Sequence, residues 1–227
     1  MAYRILLMIA SALVLSACAT ARDQPTLPAP VLKTGDSWLY EQRNGFNGEM
    51  IQTLAYEVTA SGDDSTLRVT PSVSPKEFTQ TVNRELNPHK NAVVLGRLRD
   101  FEPAYAAHKF PLSVGQTWRT EASSVDPVTK KMLTFKIWGD VVGAEKIRVP
   151  AGEFDTLKIV RRVYPNDEEW WRTGTRIRET DWYAPAIRAV VKREERSAYT
   201  DTASGEPPLV RVGDWVITTL TSYRLEK

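Results

Sequence analysis

Few side chains in this sequence could do chemistry. Cys18 is the only cysteine in 227 residues, so the chain can form neither an internal disulfide nor a cysteine-ligated metal site. His89 and His108 are the only histidines. Neither has a second ligand at a metal-binding spacing. Both read as surface side chains, and no metal or other cofactor is expected. No serine sits in a nucleophile-elbow pattern. Glu168-Glu169 and Glu194-Glu195 are adjacent pairs. In a strand, neighbours point to opposite faces, so neither pair alone supplies facing carboxylates. A facing pair would need two different strands.

Two candidates remain. The first is Cys18, at the end of an apolar leader. The second is a cluster of aromatic and cationic residues: Trp170, Arg172, Arg176, Arg178, Trp182 and Tyr183. Arg172, Arg176 and Arg178 share strand parity with Trp170 and Trp182, unless a loop at Gly174 breaks the register. One face would then carry tryptophan and arginine together, suited to a sugar or an anionic headgroup through stacking and charge. The competing reading is that arginine stems simply cover the large rings.

The elements that position these residues are mostly strands. Ser37–Arg43 ends at the Asn44-Gly45 turn signal. Glu49–Thr59 and Ser65–Thr70 flank Ser61-Gly62-Asp63-Asp64 as a hairpin. Shorter strands fit Phe78–Val82 and Ala92–Leu95, and Asp100–Lys109 reads as a helical turn or an irregular lid. Strands follow over Gln116–Ser123, Lys131–Val142, Glu145–Val149, Phe154–Tyr164, Glu168–Thr173, Arg176–Trp182, Ile187–Arg196 and Asp214–Tyr223. Period two dominates, and no stretch carries a helical stripe of four turns. The expected fold is all-β and antiparallel. A weak echo, Gly35-Asp36-Ser37-Trp38, Gly115-Gln116-Thr117-Trp118 and Gly213-Asp214-Trp215, marks strand starts and suggests two similar sheet halves.

The leader has one charge, Arg4, then an apolar run from Ile5 to Val14. A short basic region, an apolar core and small residues form an export signal. The run is shorter than the roughly twenty residues a spanning helix needs. Leu15-Ser16-Ala17-Cys18 resembles the lipobox of bacterial lipoproteins. That resemblance implies cleavage between Ala17 and Cys18 and acylation of Cys18. With Ala19 rather than aspartate next, it also implies delivery to the outer membrane, facing the periplasm. A single acyl chain holds only marginally, and the modification implied here supplies more than one. Pro25, Pro28 and Pro30 make residues 18–31 an extended, semi-rigid tether. Residues 32–227 are then the β domain.

A second resemblance covers roughly Leu112 to Arg196. Val149-Pro150-Ala151-Gly152, with Phe154, Thr156 and Lys158, and the later Trp182-Tyr183-Ala184-Pro185 are similar to motifs of a family of uncharacterised exported bacterial proteins. Ala186 and Ile187 depart from that family's glycine and valine. The resemblance implies a strongly curved antiparallel sheet, a half-barrel or open barrel, loosely like the half-barrels that carry lipoproteins across the periplasm. It implies no enzymatic activity.

The charge is nearly balanced, 30 Lys and Arg against 28 Asp and Glu, which argues against nucleic acid as a partner. The expected function is that of a non-enzymatic lipoprotein. It is held to membrane lipid through Cys18, and its sheet binds an apolar or amphipathic ligand, such as a lipid, or an envelope protein. The alternatives are a structural or assembly component of the envelope, and a hydrolase of cell-wall sugar or peptide.

Overall fold

The computed structural model describes residues 26–166, 169, 171–203 and 209–227. The leader, Ala17, Cys18, most of the tether and Trp170 lie outside them. Thirteen strands follow the alternating sequence: β1 (Ser37–Asn44), β2 (Met50–Ala60), β3 (Asp64–Pro71), β4 (Phe78–Asn83), β5 (Pro88–Lys90), β6 (Ala92–Val94), β7 (Arg97–Arg99), β8 (Thr117–Val125), β9 (Met132–Val149), β10 (Gly152–Pro165), β11 (Arg172–Ala184), β12 (Ala189–Asp201) and β13 (Leu209–Arg224). Eleven of them form one antiparallel sheet in the order β5-β4-β3-β2-β1-β13-β12-β11-β10-β9-β8, and β6 and β7 form a separate hairpin.

The sheet is open. Its edge strands β5 and β8 do not meet, and it is neither closed nor strongly curled. The expectation of a strongly curved half-barrel or open barrel is therefore corrected, and the strands form one continuous sheet rather than two halves. Closing a barrel requires its edge strands to pair at a consistent tilt and stagger. Here β5 has only three residues. The free edge of β8 is partly taken by Glu102, whose N–H and C=O both bond Ser123 at 2.9 Å. The apolar face is covered by residues 91–116 instead, which cross it as a strap. Because the strap supplies the second layer, the sheet does not need to curl to bury its apolar side chains.

Parity places Phe135, Ile137, Val163 and Ile177 on this covered inner face, where they pack against Phe101, Tyr105 and Ala107 of the strap. Phe110 and Leu112 pack likewise on Trp118, Ile159 and Tyr183. Residues 100–109 form no helix, so the irregular-lid reading is the one observed.

Two copies of the glycine–tryptophan echo are structurally equivalent. Gly35 and Gly115 both have positive φ, 95° and 86°, a conformation open to glycine at no steric cost. Gly35 N–H bonds Val58 C=O, and Gly115 N–H bonds Val141 C=O. Trp38 and Trp118 then enter the core, and their indole N–H groups bond Ile187 C=O (3.0 Å) and Ala106 C=O (3.1 Å). Gly213 lacks the positive φ and sits within β13, beside a register shift.

Candidate functional site: a cleft under the strap

Charged residues stand at inward positions of the middle strands. Arg161 lies between Ile159 and Val163 in β10. Glu179 and Asp181 lie between Ile177 and Tyr183 in β11, and Arg193 and Glu195 follow in β12. Strand register brings them together: Arg161 faces Glu179, Glu179 faces Glu195, and Asp181 faces Arg193. Arg161 is fully buried. Its Nε donates to Glu179 (2.6 Å), its Nη1 to Ala107 C=O (3.0 Å), and its Nη2 lies 2.9 Å from Asp181. Arg193 grips Asp181 with two bonds, 2.7 and 2.8 Å. Tyr105 O–H donates to the other oxygen of Glu179 at 3.0 Å. The buried ions therefore fasten the strap to the sheet.

The electrostatics follow from that geometry. Burial works against a charged Asp181, but Arg161 and Arg193 outweigh it and hold its carboxyl well below the usual carboxylate range. Burial pushes the His108 imidazole down to about 3, with Arg161 and Arg193 adding to the shift and Asp181 opposing it. His108 is thus neutral and buried, which corrects its reading as a surface residue. Asn87 clamps its backbone, accepting from His108 N–H (2.7 Å) and donating to His108 C=O (2.9 Å). Removal from water, with Glu179 opposite, raises Glu195 to about 7.

Beyond this set, the space between strap and sheet opens into a cleft of about 450 Å³. That size falls within the usual range for small-molecule sites. Trp38, Tyr40, Leu54, Tyr56, Leu67, Phe78 and Val82 line its sheet wall, with Leu86, Val94 and Tyr105 on the strap side. A polar row runs over five adjacent strands, Asp181, Arg193, Thr218, Gln42 and Gln52, and the last four of these line the cleft. Gln42 donates to Thr218 (3.1 Å), and Gln52 donates to Gln42 (2.7 Å). Among the described residues, Arg193 Nη1 and the Glu195 carboxyl make no hydrogen bond or ion pair, and both side chains line the cleft. The arrangement offers an apolar trough with a polar end.

Glu179 and Glu195 are facing carboxyls from different strands, the arrangement that neither adjacent glutamate pair could make alone. Both oxygens of Glu179 are committed, to Arg161 and Tyr105. Among the described residues, no group of three or more His, Cys, Asp or Glu is placed to hold a metal.

The residues singled out from sequence are distributed differently. Trp182 and Tyr183 point to opposite faces. Tyr183 is under the strap beside His108 and Phe110. Trp182 is buried between Lys158 and Lys192, 5.0 and 4.7 Å from its ring centroid, and its indole N–H bonds Glu145. Arg176 and Arg178 are exposed on the outer face. Gly174 takes φ 59° at a register shift, and Arg172 lies over Trp171. The cleft residues Tyr40, Gln42, Glu179 and Arg193, and the buried Arg161 and Asp181 beside them, carry no motif that marks them in the sequence, and Glu195 stands there only as half of an adjacent glutamate pair. The signal for several of them was present, as charges on the apolar parity of otherwise regular strands.

No protein-family model matches the chain, and no curated protein matches it. Among solved structures, it is similar to a Parabacteroides distasonis protein provisionally classed as a lipoprotein: TM-score 0.53, 14% identity, covering 88% of this chain and 100% of that one. It is also similar to a Bacteroides fragilis protein provisionally classed as exported and described as having a YmcC-like fold: TM-score 0.51, 12% identity, covering 88% and 100%. At these identities the likeness establishes the fold: one open antiparallel sheet shared over nearly the whole described chain.

Proposed function

We propose that the chain is a non-enzymatic, lipid-anchored protein of the bacterial envelope. It is held to the outer membrane through acylated Cys18, and it binds an amphipathic molecule in the cleft under the strap. The carrying observation is the trough of about 450 Å³, apolar and aromatic along its wall, with Arg193, Glu195 and Gln42 converging at one place. An acyl or similarly apolar body would lie against Trp38, Tyr56 and Phe78. Its polar end would meet Arg193 Nη1 and the Glu195 carboxyl. The fold shared with proteins classed as a lipoprotein and as exported and the Leu15-Cys18 lipobox support the location.

The test combines native mass spectrometry of the purified protein with displacement of a dansyl-labelled fatty acid. A bound amphipath and a fluorescence gain abolished by Leu54→Trp, which fills the trough, are expected. If there is no co-purifying molecule and the probe responds equally to wild type and Leu54→Trp, the ligand reading fails. For the anchor, labelled palmitate should enter the wild type and not Cys18→Ser. If Cys18→Ser stays equally membrane-bound, the anchoring reading is overturned.

A second reading, an assembly component acting by surface contact, draws on one end of the sheet. Phe46, Met50, Val128, Met132, Val210 and Val212, in three hairpins at that end, are all at least half exposed.

A further inference from the structure

The outer face carries a cationic row that the cleft does not use. Register aligns Arg119, Trp138, Arg162, Arg178, Arg196 and Trp215 across six neighbouring strands, β8 to β13. At about 4.8 Å per strand the row spans about 24 Å. Arg119 and Arg162 lie over the Trp138 ring, at 5.3 and 5.9 Å, and Arg196 lies over Trp215 at 3.7 Å. Stem coverage of rings accounts for those three arginines. It does not account for Arg178, which stands between Arg162 and Arg196. Among the described residues, Arg178 makes no hydrogen bond, ion pair or ring contact. Like charges directly opposite one another in a sheet are destabilising. Asp140 pairs with Arg162 (3.1 Å) and Glu194 with Arg196 (3.8 Å), so among the described residues Arg178 is the arginine of the three left without a counter-ion. An anion laid along the row would supply the counter-charge that Arg178 lacks.

We infer that this row is a binding site for an extended acidic polysaccharide. Carboxylates spaced along the chain meet the guanidinium groups, which favour planar, paired contacts with carboxylate. The sugar rings lie against the exposed indole edge of Trp138. The shape of the cationic region favours a linear polymer over a headgroup layer. Asp140 and Glu194, the partners of Arg162 and Arg196, border the row on one side, and Glu121 borders it on the other, where Lys136 and Arg176 add charge. A lipid surface would call for a broad basic patch, whereas a single chain needs only the row.

The test uses the full-length chain purified in detergent, with polygalacturonate immobilised as the acidic polymer, neutral dextran as control and phosphatidylglycerol vesicles as the competing anionic surface. Saturable binding to polygalacturonate that weakens as salt is raised, with none to dextran, is expected. Arg178→Glu is expected to weaken it by about tenfold or more, the loss of a charge-assisted contact plus new repulsion. Lys76→Glu, an exposed site on the β3–β4 connection with the same change in net charge, should leave it unaltered. Because Arg178→Glu relieves like-charge contacts, a urea midpoint at or above the wild-type value separates lost binding from lost folding. Equal binding by Arg178→Glu and wild type, or capture by vesicles with none by polygalacturonate, overturns the assignment.

Discussion

The two faces of the same three strands solve opposite electrostatic problems with neighbouring residues. Arg161 points inward and Arg162 outward; Glu179 points inward and Arg178 outward; Glu195 points inward and Arg196 outward. Inside, Arg161 and Arg193 face carboxylates, and Arg161, Glu179 and Asp181 are satisfied by one another and by Tyr105, Ala107 and Arg193; Glu195, facing Glu179, is the inward carboxyl left unpaired among the described residues. Outside, arginine faces arginine across the strands, and only Arg162 and Arg196 of the three have a carboxylate beside them. The difference follows from solvent. A buried unpaired charge costs several kcal/mol, so the inner face must be matched. Water screens the outer face, so a like-charge row survives there and remains available to an external anion.

The sharpest way to break this contrast is to compare adjacent arginines. Arg161→Ala leaves Glu179 and Asp181 buried without their shared cation and should cost about 3–5 kcal/mol in urea unfolding. Arg162→Ala should cost within about 0.5 kcal/mol. Equal losses would erase the distinction. A second comparison concerns packing. A Cβ at Gly139 would run into the Trp118 ring on the inner face, whereas one at Gly143 meets nothing within 4 Å. Gly139→Ala is therefore expected to destabilise by about 1–3 kcal/mol, and Gly143→Ala hardly at all.

The third comparison uses pH. Glu195, with its native pKa raised from the ordinary 4.5 to about 7, binds its proton more tightly in the folded protein. Stability from this group is fully present below about 4.5 and is lost as pH rises through about 7. Glu195→Gln should therefore gain about 1–3 kcal/mol near pH 8 and almost nothing near pH 4. His108 works in the opposite window. Its native pKa is depressed from 6.5 to about 3, so its contribution is lost as pH falls between those values. A stability profile of Glu195→Gln parallel to wild type across that range would remove Glu195 from the balance. The smallest expected effect is on the outer face: Arg178→Glu should stabilise by about 0.2–1 kcal/mol by pairing Arg162 and Arg196, and a measurable loss would mean the row is not under mutual repulsion.

How much of this was legible depended on the range of the interaction. Lys131–Val142 alternates cleanly and, apart from Lys131, lies within β9, and Ser37–Arg43 lies within β1, because side-chain period is a local property of the backbone. Gly35 and Gly115 were readable as turns for the same reason. Trp182 and Tyr183 read as one cluster in sequence, yet period two sends them to opposite faces. His108 reads as a surface residue because nothing local shows that Asn87, 21 positions away, pins it against the sheet.

By itself, the sequence determined the strand alternation, the antiparallel β class, the lone thiol and the near-neutral charge, all set by residue type and spacing over a few positions. Only the tertiary structure decided that the sheet stays open, that residues 91–116 roof it, and that Arg161 meets Asp181 while Arg162, Arg178 and Arg196 align. Those outcomes depend on which strands become neighbours and in what register. Shifting one strand by a single residue would exchange the two faces, and local propensity carries no record of that choice.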